Sequence, residues 1–451
     1  MAHASTSRTS IVPGFVASAS MFIVCMDMLI TNVGLPTISA ELGGGMTAQQ
    51  WVVDGYTLPF ATLLLLAGSL SDRWGAKRVF AVGVAGFAVA SLVCGFASTI
   101  GILIAGRALL GVAAAVILPS SMALINEGYT DGPSRARALA FWGIGGSAAA
   151  AVGPIMGGLL VPIHWSLIFL VNVPVCVVIL VLAPRLGRSR CTREPFDMLG
   201  QALAIVGLGC LVGGIIEGGS DGFRGLPLAL VAIGVVGTAA FLLSQARVAH
   251  PMMPLTLFGT QGMRMAALGG FTMILNWNGL IFMSTLALQQ QLGLPAFESG
   301  MAFVPAAITG IVGNLLSDRL IGRKGFRFSL IVASAIMASG FAILVMGSQT
   351  PSLALIATGT AIVGSGGAVG TPALAGLVLR SVDASQAGIA SAVFNTLRQV
   401  GGAVGIAVFG VVATALPTFA DGLTASYGTS LVLLAIMLGY AMHARSLGAR
   451  A

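Results

Sequence analysis

Nothing constrains the fold of this chain more than where it withholds charge. It runs repeatedly for seventeen or more residues without an Asp, Glu, Lys or Arg. A helix of about twenty apolar residues crosses the ~30 Å hydrocarbon core of a bilayer. Only 8% of the residues are charged and 57% are hydrophobic, so such runs fill the chain and do not form one isolated anchor. Lipid offers no hydrogen-bond partner to an open strand edge, so the spanning structure is helical. The runs are continuous, without the alternating pattern of roughly ten-residue barrel strands. The fold class that follows is an all-α integral membrane protein.

Fourteen segments qualify as spans: 12–36, 51–70, 79–97, 100–125, 138–161, 165–183, 200–216, 226–246, 265–287, 300–316, 328–346, 353–379, 388–416 and 423–442. The basic residues test that number. Loops on the cytoplasmic side of a membrane protein carry an excess of Lys and Arg. Taking every second gap, starting with the N-terminus, collects Arg8; Arg73, Lys77 and Arg78; Arg135 and Arg137; Arg185, Arg188, Arg190 and Arg193; Arg247 and Arg264; Arg319, Arg323, Lys324 and Arg327; Arg380; and Arg445 and Arg450. That is nineteen of the 22 basic residues. The other gaps hold only Arg224, and Arg107 and Arg398 lie within spans. A missed or extra span would scramble the alternation, so the expectation is fourteen spans with both termini cytoplasmic. The net charge of +8 is then an orientation signal and not a nucleic-acid-binding patch.

The two halves of the chain echo each other. GSLSDRWGAKR (68–78) follows the second span and GNLLSDRLIGRK (313–324) the tenth. Gly111 and Pro119 in the fourth span are spaced like Gly364 and Pro372 in the twelfth. An offset of eight spans fits two six-helix repeats with two helices inserted between them. The expected units are an N-terminal six-helix bundle at 1–184, the two inserted helices with their flanking cytoplasmic loops at 185–264, and a C-terminal six-helix bundle at 265–451. Repeated halves with a midplane site between them are a transporter signature.

Several function classes fall away. There is no GxxxxGK[ST] phosphate loop. No catalytic set is apparent, and no enzyme activity is expected. The four histidines lie in tails or gaps, and the five cysteines show neither a disulfide framework nor metal-ligand spacing. No metal and no cofactor are expected. The N-terminal apolar run contains Asp27 and is too long for a signal-peptide core, so it reads as an uncleaved first span.

Charge inside a span costs roughly 2.5–3.5 kcal/mol or more at the helix centre, which marks it as a functional candidate. Asp27 lies fifteen residues into the first span, about 22 Å from its inner end. Arg107 lies about 10 Å below the outer end of the fourth, which puts the two at similar depth. Facing one cavity, they could pair directly or through water. A carboxyl whose burial opposes ionisation while a guanidinium favours it can release a proton when that contact forms. The rival reading is a fixed ion pair that orients two helices. Asp54, near the outer end of the second span, is either a second cavity carboxylate or an interfacial residue. Arg398 either lines the inner path or snorkels inward, with the structural reading preferred. In the C-terminal half the place of Arg107 is taken by Thr360, and the counterpart of the first span offers Asn276 and Asn278. Proton handling is therefore assigned to the N-terminal half. Trp51, Tyr56, Trp142 and Trp277 are aromatic candidates for the cavity or the membrane interface, and Asn276, Asn278 and Arg398 are polar candidates for the substrate cavity.

These motifs resemble the major facilitator superfamily, and within it the fourteen-helix drug:proton antiporter branch. GSLSDRWGAKR matches the superfamily loop between helices two and three, with Gly68, Asp72, Arg73, Gly75, Lys77 and Arg78 on its positions. The resemblance implies a conformational latch there. MDMLITNVGLPTI (26–38) is similar to the first-helix motif that carries Asp27. LIAGRALLGVAAA (103–115) is similar to the fourth-helix motif whose arginine, here Arg107, is implicated in proton coupling; Leu110 replaces its usual Gln. AVGPIMGG resembles the antiporter motif of helix five, placing Gly153, Pro154, Gly157 and Gly158, with Ala149 in place of a common Gly. WVVDGYTLPF and NTLRQVGGAVG are similar to stretches of helices two and thirteen. The function implied is a proton-coupled antiporter that exports lipophilic drugs or antibiotics by alternating access. Its partners would be a lipophilic small molecule, protons as the coupling ion and the lipid of the cell (inner) membrane; it would act as a monomer, without nucleic acid. The alternatives are a proton-driven uptake symporter for peptides or organic acids, and an exporter of a lipid or envelope precursor.

Overall fold

In a computed structural model, the described residues are 11–443 apart from 130, 188, 190, 192–196, 351, 384 and 385. The basic residues Arg8, Arg188, Arg190, Arg193, Arg445 and Arg450 therefore lie outside the described residues. All secondary structure among the described residues is helical. Thirteen helices are long and apolar enough to cross a membrane. They are α1 (Val12–Leu42), α2 (Met46–Trp74), α3 (Ala76–Gly95), α4 (Ile100–Gly128), α5 (Gly132–Leu160), α6 (Leu167–Arg185) and α7 (Met198–Asp221). The rest are α8 (Leu226–Gln245), α9 (Gln261–Gln291), α10 (Val304–Gln349, after a short turn at Ala296–Met301), α11 (Leu353–Ser381), α12 (Ala387–Thr414) and α13 (Phe419–His443).

Thirteen, against the expected fourteen, traces to one place. The tenth and eleventh expected spans both fall within α10, whose 46 residues would reach about 69 Å if straight, twice the hydrocarbon thickness. They are not straight, because Gly325 carries non-helical φ 78° and ψ 177°. The hydroxyls of Ser317 and Ser329, on either side of it, both donate to the Val369 carbonyl of α11. Before Gly325, residues 309 and 317 bond to 361 and 369, so the two segments run in the same direction. After it, glycines 340 and 366 sit against 359–363 and 333–337, and the direction is reversed. The chain doubles back at Gly325.

Helix starts are set by local chemistry. Thr99, Asp131, Asp197 and Thr260 accept backbone N–H bonds at the first turns of α4, α5, α7 and α9. In the sharp turn between α2 and α3, Gly75 has φ 86°, a region that side chains disfavour. Close helix crossings use small residues, as expected without a hydrophobic drive between helices in lipid. A Cβ at Gly111 of α4 would collide with the Tyr56 carbonyl of α2. A Cβ at Gly364 of α11 would lie 3.4 Å from the Ala306 carbonyl of α10, the same device in the second half. Helices α7 and α8 pair through Gly207, Gly214, Gly234 and Gly237. They are held to the rest by Trp51 of α2, which donates to Glu217 of α7 at 2.7 Å, and by Gln201 of α7, which donates to the Thr62 carbonyl.

The reversal at Gly325 is testable by stability. No atom crowds its missing Cβ, so only backbone strain opposes a side chain there. Gly325→Ala should lower stability by about 1–3 kcal/mol. Gly322→Ala, in open space on the helical run just before it, should be neutral or slightly stabilising. Thermal unfolding of the detergent-purified variants compares them, and equal effects would show that the reversal does not need Gly325.

Candidate functional site

The deepest polar feature is an ion pair with no exposed side-chain surface. Arg107 Nη1 of α4 donates to Asp27 Oδ2 of α1, the one ion pair among the described residues. Two residues eighty apart in the chain thus meet across helices α1 and α4. Helix α4 can come this close to α2 because Gly111, one turn along, presents no Cβ to Tyr56. That approach lets Arg107 Nε donate to the Val52 carbonyl at 2.9 Å. The guanidinium also lies over the Tyr56 ring, 4.5 Å from its centroid, and near Phe169 at 5.9 Å. Tyr56 is fixed in turn by its hydroxyl, which donates to the Val24 carbonyl at 3.1 Å.

The second carboxylate oxygen of Asp27 is also used. Asn172 Nδ2 of α6 donates to Oδ1 at 2.9 Å. Asn172 was not singled out from the sequence, although a lone amide in LVNVPVCVV carries the same signal as a lone charge in a span. Arg107 Nη2 and Asn172 Oδ1 have no partner. The network therefore holds its charges by geometry while leaving one spare donor and one spare acceptor.

Asp54 is separate from this network. It is fully buried and neither carboxylate oxygen has a partner. One turn earlier on α2, Gln50 donates to the Ile406 and Ala407 carbonyls of α12, both at 3.0 Å. One turn later, Leu58 packs on the cluster containing Ala403 and Ala407. Asp54 therefore belongs to the α2–α12 contact face and is not at a cavity mouth. In the second half, Asn276 stands fifteen residues into α9, as Asp27 does in α1. It is buried with both amide atoms unpartnered, as is the hydroxyl of Thr360. Neutral amide and hydroxyl stand where the first half has an acid and a base.

A cavity of about 1600 Å³ lies beside the ion pair, walled by α1, α2, α4 and α5 on one side and α9 to α12 on the other. Trp142, Trp277, Asn278 and Arg398 line it. Trp51, Tyr56 and Asn276, also expected there, do not: Trp51 is committed to α7, Tyr56 to Arg107 and Asn276 to the core. Asp27 and Arg107 are not wall residues either. At one end the walls reach the face bearing the basic loops, at Gly68, Asp72, Asn126 and His250. At the other end backbones meet. A Cβ at Gly158 of α5 would lie 2.6 Å from Phe297 Cα, and one at Gly300 would collide with the Pro154 carbonyl. Gly153 and Gly157 present the opposite side of the same motif to α1, at Leu29 and Val33. Gln289 of α9 adds a bond to the Val33 carbonyl at 2.9 Å. The cavity is closed at the far face and extends to the basic one.

At the basic face, Lys77 ties the α2–α3 turn to the end of α6. Its ammonium donates to the Pro184 and Leu186 carbonyls at 2.9 and 2.7 Å, as cations near a helix C-terminus do. Its backbone N–H bonds Ser189, whose hydroxyl donates to Glu127 at the end of α4. Gly75 supplies the turn, Gly68 and Asp72 border the cavity, and Arg73 and Arg78 are exposed.

Removing one partner of a buried pair leaves an uncompensated charge, at a cost of about 3–5 kcal/mol. Asp27→Asn and Arg107→Gln should each destabilise the protein by that order. The double variant should lose less than the sum, which a double-mutant cycle on thermal unfolding would measure. Simple additivity would mean the pair is not coupled.

Comparison with known proteins agrees with this architecture. The family model of the Major Facilitator Superfamily matches residues 17–406. The multidrug efflux pump LfrA of Mycolicibacterium smegmatis is 33% identical over 403 residues, covering 89% of this chain and 80% of that protein. The methylenomycin A resistance protein of Bacillus subtilis is 33% identical, covering 90% and 88%. The cephamycin export protein CmcT of Amycolatopsis lactamdurans is 36% identical, covering 90% and 84%. Among solved structures, a POT family transporter in complex with 5-aminolevulinic acid superposes with a TM-score of 0.71 at 12% identity, covering 96% of both chains. With a buried intramembrane ion pair, a cavity between two helix groups and matches along nearly its whole length, the chain belongs to the Major Facilitator Superfamily.

Proposed function

We propose that this protein exports lipophilic drugs or antibiotics in exchange for protons, by alternating access. The observation that carries this reading is a large, mostly apolar-walled cavity reaching one membrane face beside a carboxylate sealed from it. The relatives named for multidrug efflux and for methylenomycin A and puromycin resistance support export of such compounds. The chain crosses the membrane fourteen times, counting α10 twice because it doubles back at Gly325. Both termini then lie on the basic, cytoplasmic side of the cell membrane, and the cavity faces the cytoplasm. Residues 1–184 and 265–451 form the two six-helix bundles, and α7 and α8 are the inserted pair. The protein works as a monomer, with the proton as its coupling ion.

Asp27 carries the proton. With the pair made, Asp27 accepts from Arg107, and Asn172 shares the load. Access from the far face requires the contacts at Gly158 and Gly300 to part. Those contacts join α5 to the turn before α10, and Gly153 and Gly157 place the same stretch of α5 on α1, next to Asp27. Opening the far face therefore moves the helix against which Asp27 packs. A proton arriving there neutralises Asp27 and frees Arg107 to hold only Val52. Asp54, buried on the α2–α12 face that must also shift, is a second candidate to change protonation during the switch. The loop from Gly68 to Arg78 would stabilise one of the two states.

Proteoliposomes loaded with an acidic lumen test the exchange. Methylenomycin A, a carboxylic acid for which two of the relatives are named, should accumulate inside as protons leave, and collapse of the gradient should stop it. Asp27→Asn should reduce accumulation to the level of protein-free vesicles while substrate binding persists. Accumulation that instead needs an acidic exterior would identify a symporter, and undiminished exchange by Asp27→Asn would remove that residue from the coupling step.

A further inference from the structure

Among the described residues, Arg398 is the only Lys or Arg on the cavity wall, and nothing in the proton-handling network uses it. It stands eleven residues into α12, about 16 Å from the basic-face end of that helix, too deep for its side chain to reach the interface. Its stem is pinned sideways, since Gly270 of α9 leaves room for its Cγ and the Phe394 ring lies 5.6 Å from the guanidinium. Its hydrogen bond within the protein runs from Nη1 to Asn395 Oδ1 at 3.1 Å, a neutral acceptor. No carboxylate pairs with it among the described residues, and its one titratable neighbour is the Cys25 thiol across the cavity. The acids on the cavity wall, Asp72 and Asp197, lie far down at the basic-face mouth, and the Asp27 charge is spent on Arg107.

Asn278 of α9 borders the same wall and is 9% exposed, but its Nδ2 is sealed against Gly402 of α12 and gives the cavity no donor. The Arg398 guanidinium, turned to an apolar space with one neutral acceptor, makes a receptor for negative charge. Fixed charge in a low-dielectric cavity with no protein counter-charge is costly until an anion neutralises it.

We infer that Arg398 forms an anion subsite in the cavity, which takes the carboxylate, sulfonate or ionised phenol of an otherwise apolar substrate. Trp277 and the other apolar wall residues hold the body of the molecule, and the subsite sets the sign of charge it carries. The inference rests on the exporter reading for the direction of movement, but binding at the subsite is measurable without transport.

The test uses two fluorescent probes that differ in one charge: anilinonaphthalene sulfonate and its uncharged parent, N-phenylnaphthylamine. Energy transfer from Trp142 and Trp277 reports occupancy in the protein held in lipid nanodiscs, with empty nanodiscs subtracted. Wild type should bind the sulfonate more tightly than the parent. Arg398→Gln should weaken the sulfonate by about 10- to 100-fold, the range of a hydrogen bond to a charged group, and leave the parent unchanged. Arg398→Lys should recover most of the difference. Equal affinity of wild type for both probes would overturn the subsite, as would an Arg398→Gln variant that weakens both alike. Selective sulfonate binding without proton-driven movement of the dye would uphold the subsite and count against the exporter reading. Proton-driven export with no charge selectivity would do the reverse.

Discussion

The structure depends on one buried ion pair and on what it costs to keep it in hydrocarbon. A carboxylate and a guanidinium taken out of water lose solvation that their mutual attraction restores only with excellent geometry. Asp27 and Arg107 have that geometry because several unremarkable residues supply it. Gly111 lets α4 close on α2, Val52 offers a carbonyl, Tyr56 offers a ring, and Asn172 reaches across from α6. Four helices are thereby fixed around a single charge pair. Any change in the protonation of Asp27 is felt in all four.

The cavity follows from the same economy of charge. Its walls are largely apolar, with the Asp–Arg pair sealed behind them, and its far end is closed by backbone contacts at Gly158 and Gly300. The glycine-proline segment of α5 is the piece common to both, since one side packs on α1 near Asp27 and the other on the turn at 296–300. The buried ion pair and the far-face closure are linked through one helix of small residues. That is a short physical route for coupling, made of packed backbones with little room to deform.

Much of this was legible in the sequence. The charge-free runs gave the helices, because nothing else satisfies a backbone in lipid. The depths of Asp27 and Arg107 followed from counting residues at 1.5 Å each. The repeat at Gly111 and Gly364 foretold two matching crossings. The count of helices shows where such reading stops. Residues 304–349 contain basic residues where a loop was expected, yet the backbone is helical up to a single reversal at Gly325. A turn made by one glycine leaves almost no trace in composition. Trp51, Tyr56 and Asn276 show the other limit. Their chemistry suited a cavity, but rotation about a helix axis decides whether a side chain faces a void or a neighbour, and apolar helices have no polar face to fix that rotation in advance.

The sequence by itself determined that this is a multi-span helical membrane protein and which two charges needed explaining. Those conclusions rest on solvation, a property each residue has wherever it sits. Only the tertiary structure decided that Asn172 completes the ion-pair network, that Asp54 belongs to the α2–α12 face, and that Arg398 looks into the cavity. Those facts depend on which residues meet across helices far apart in the chain. Meeting is set by the close approach of backbones at particular glycines, and that approach is written in no single segment.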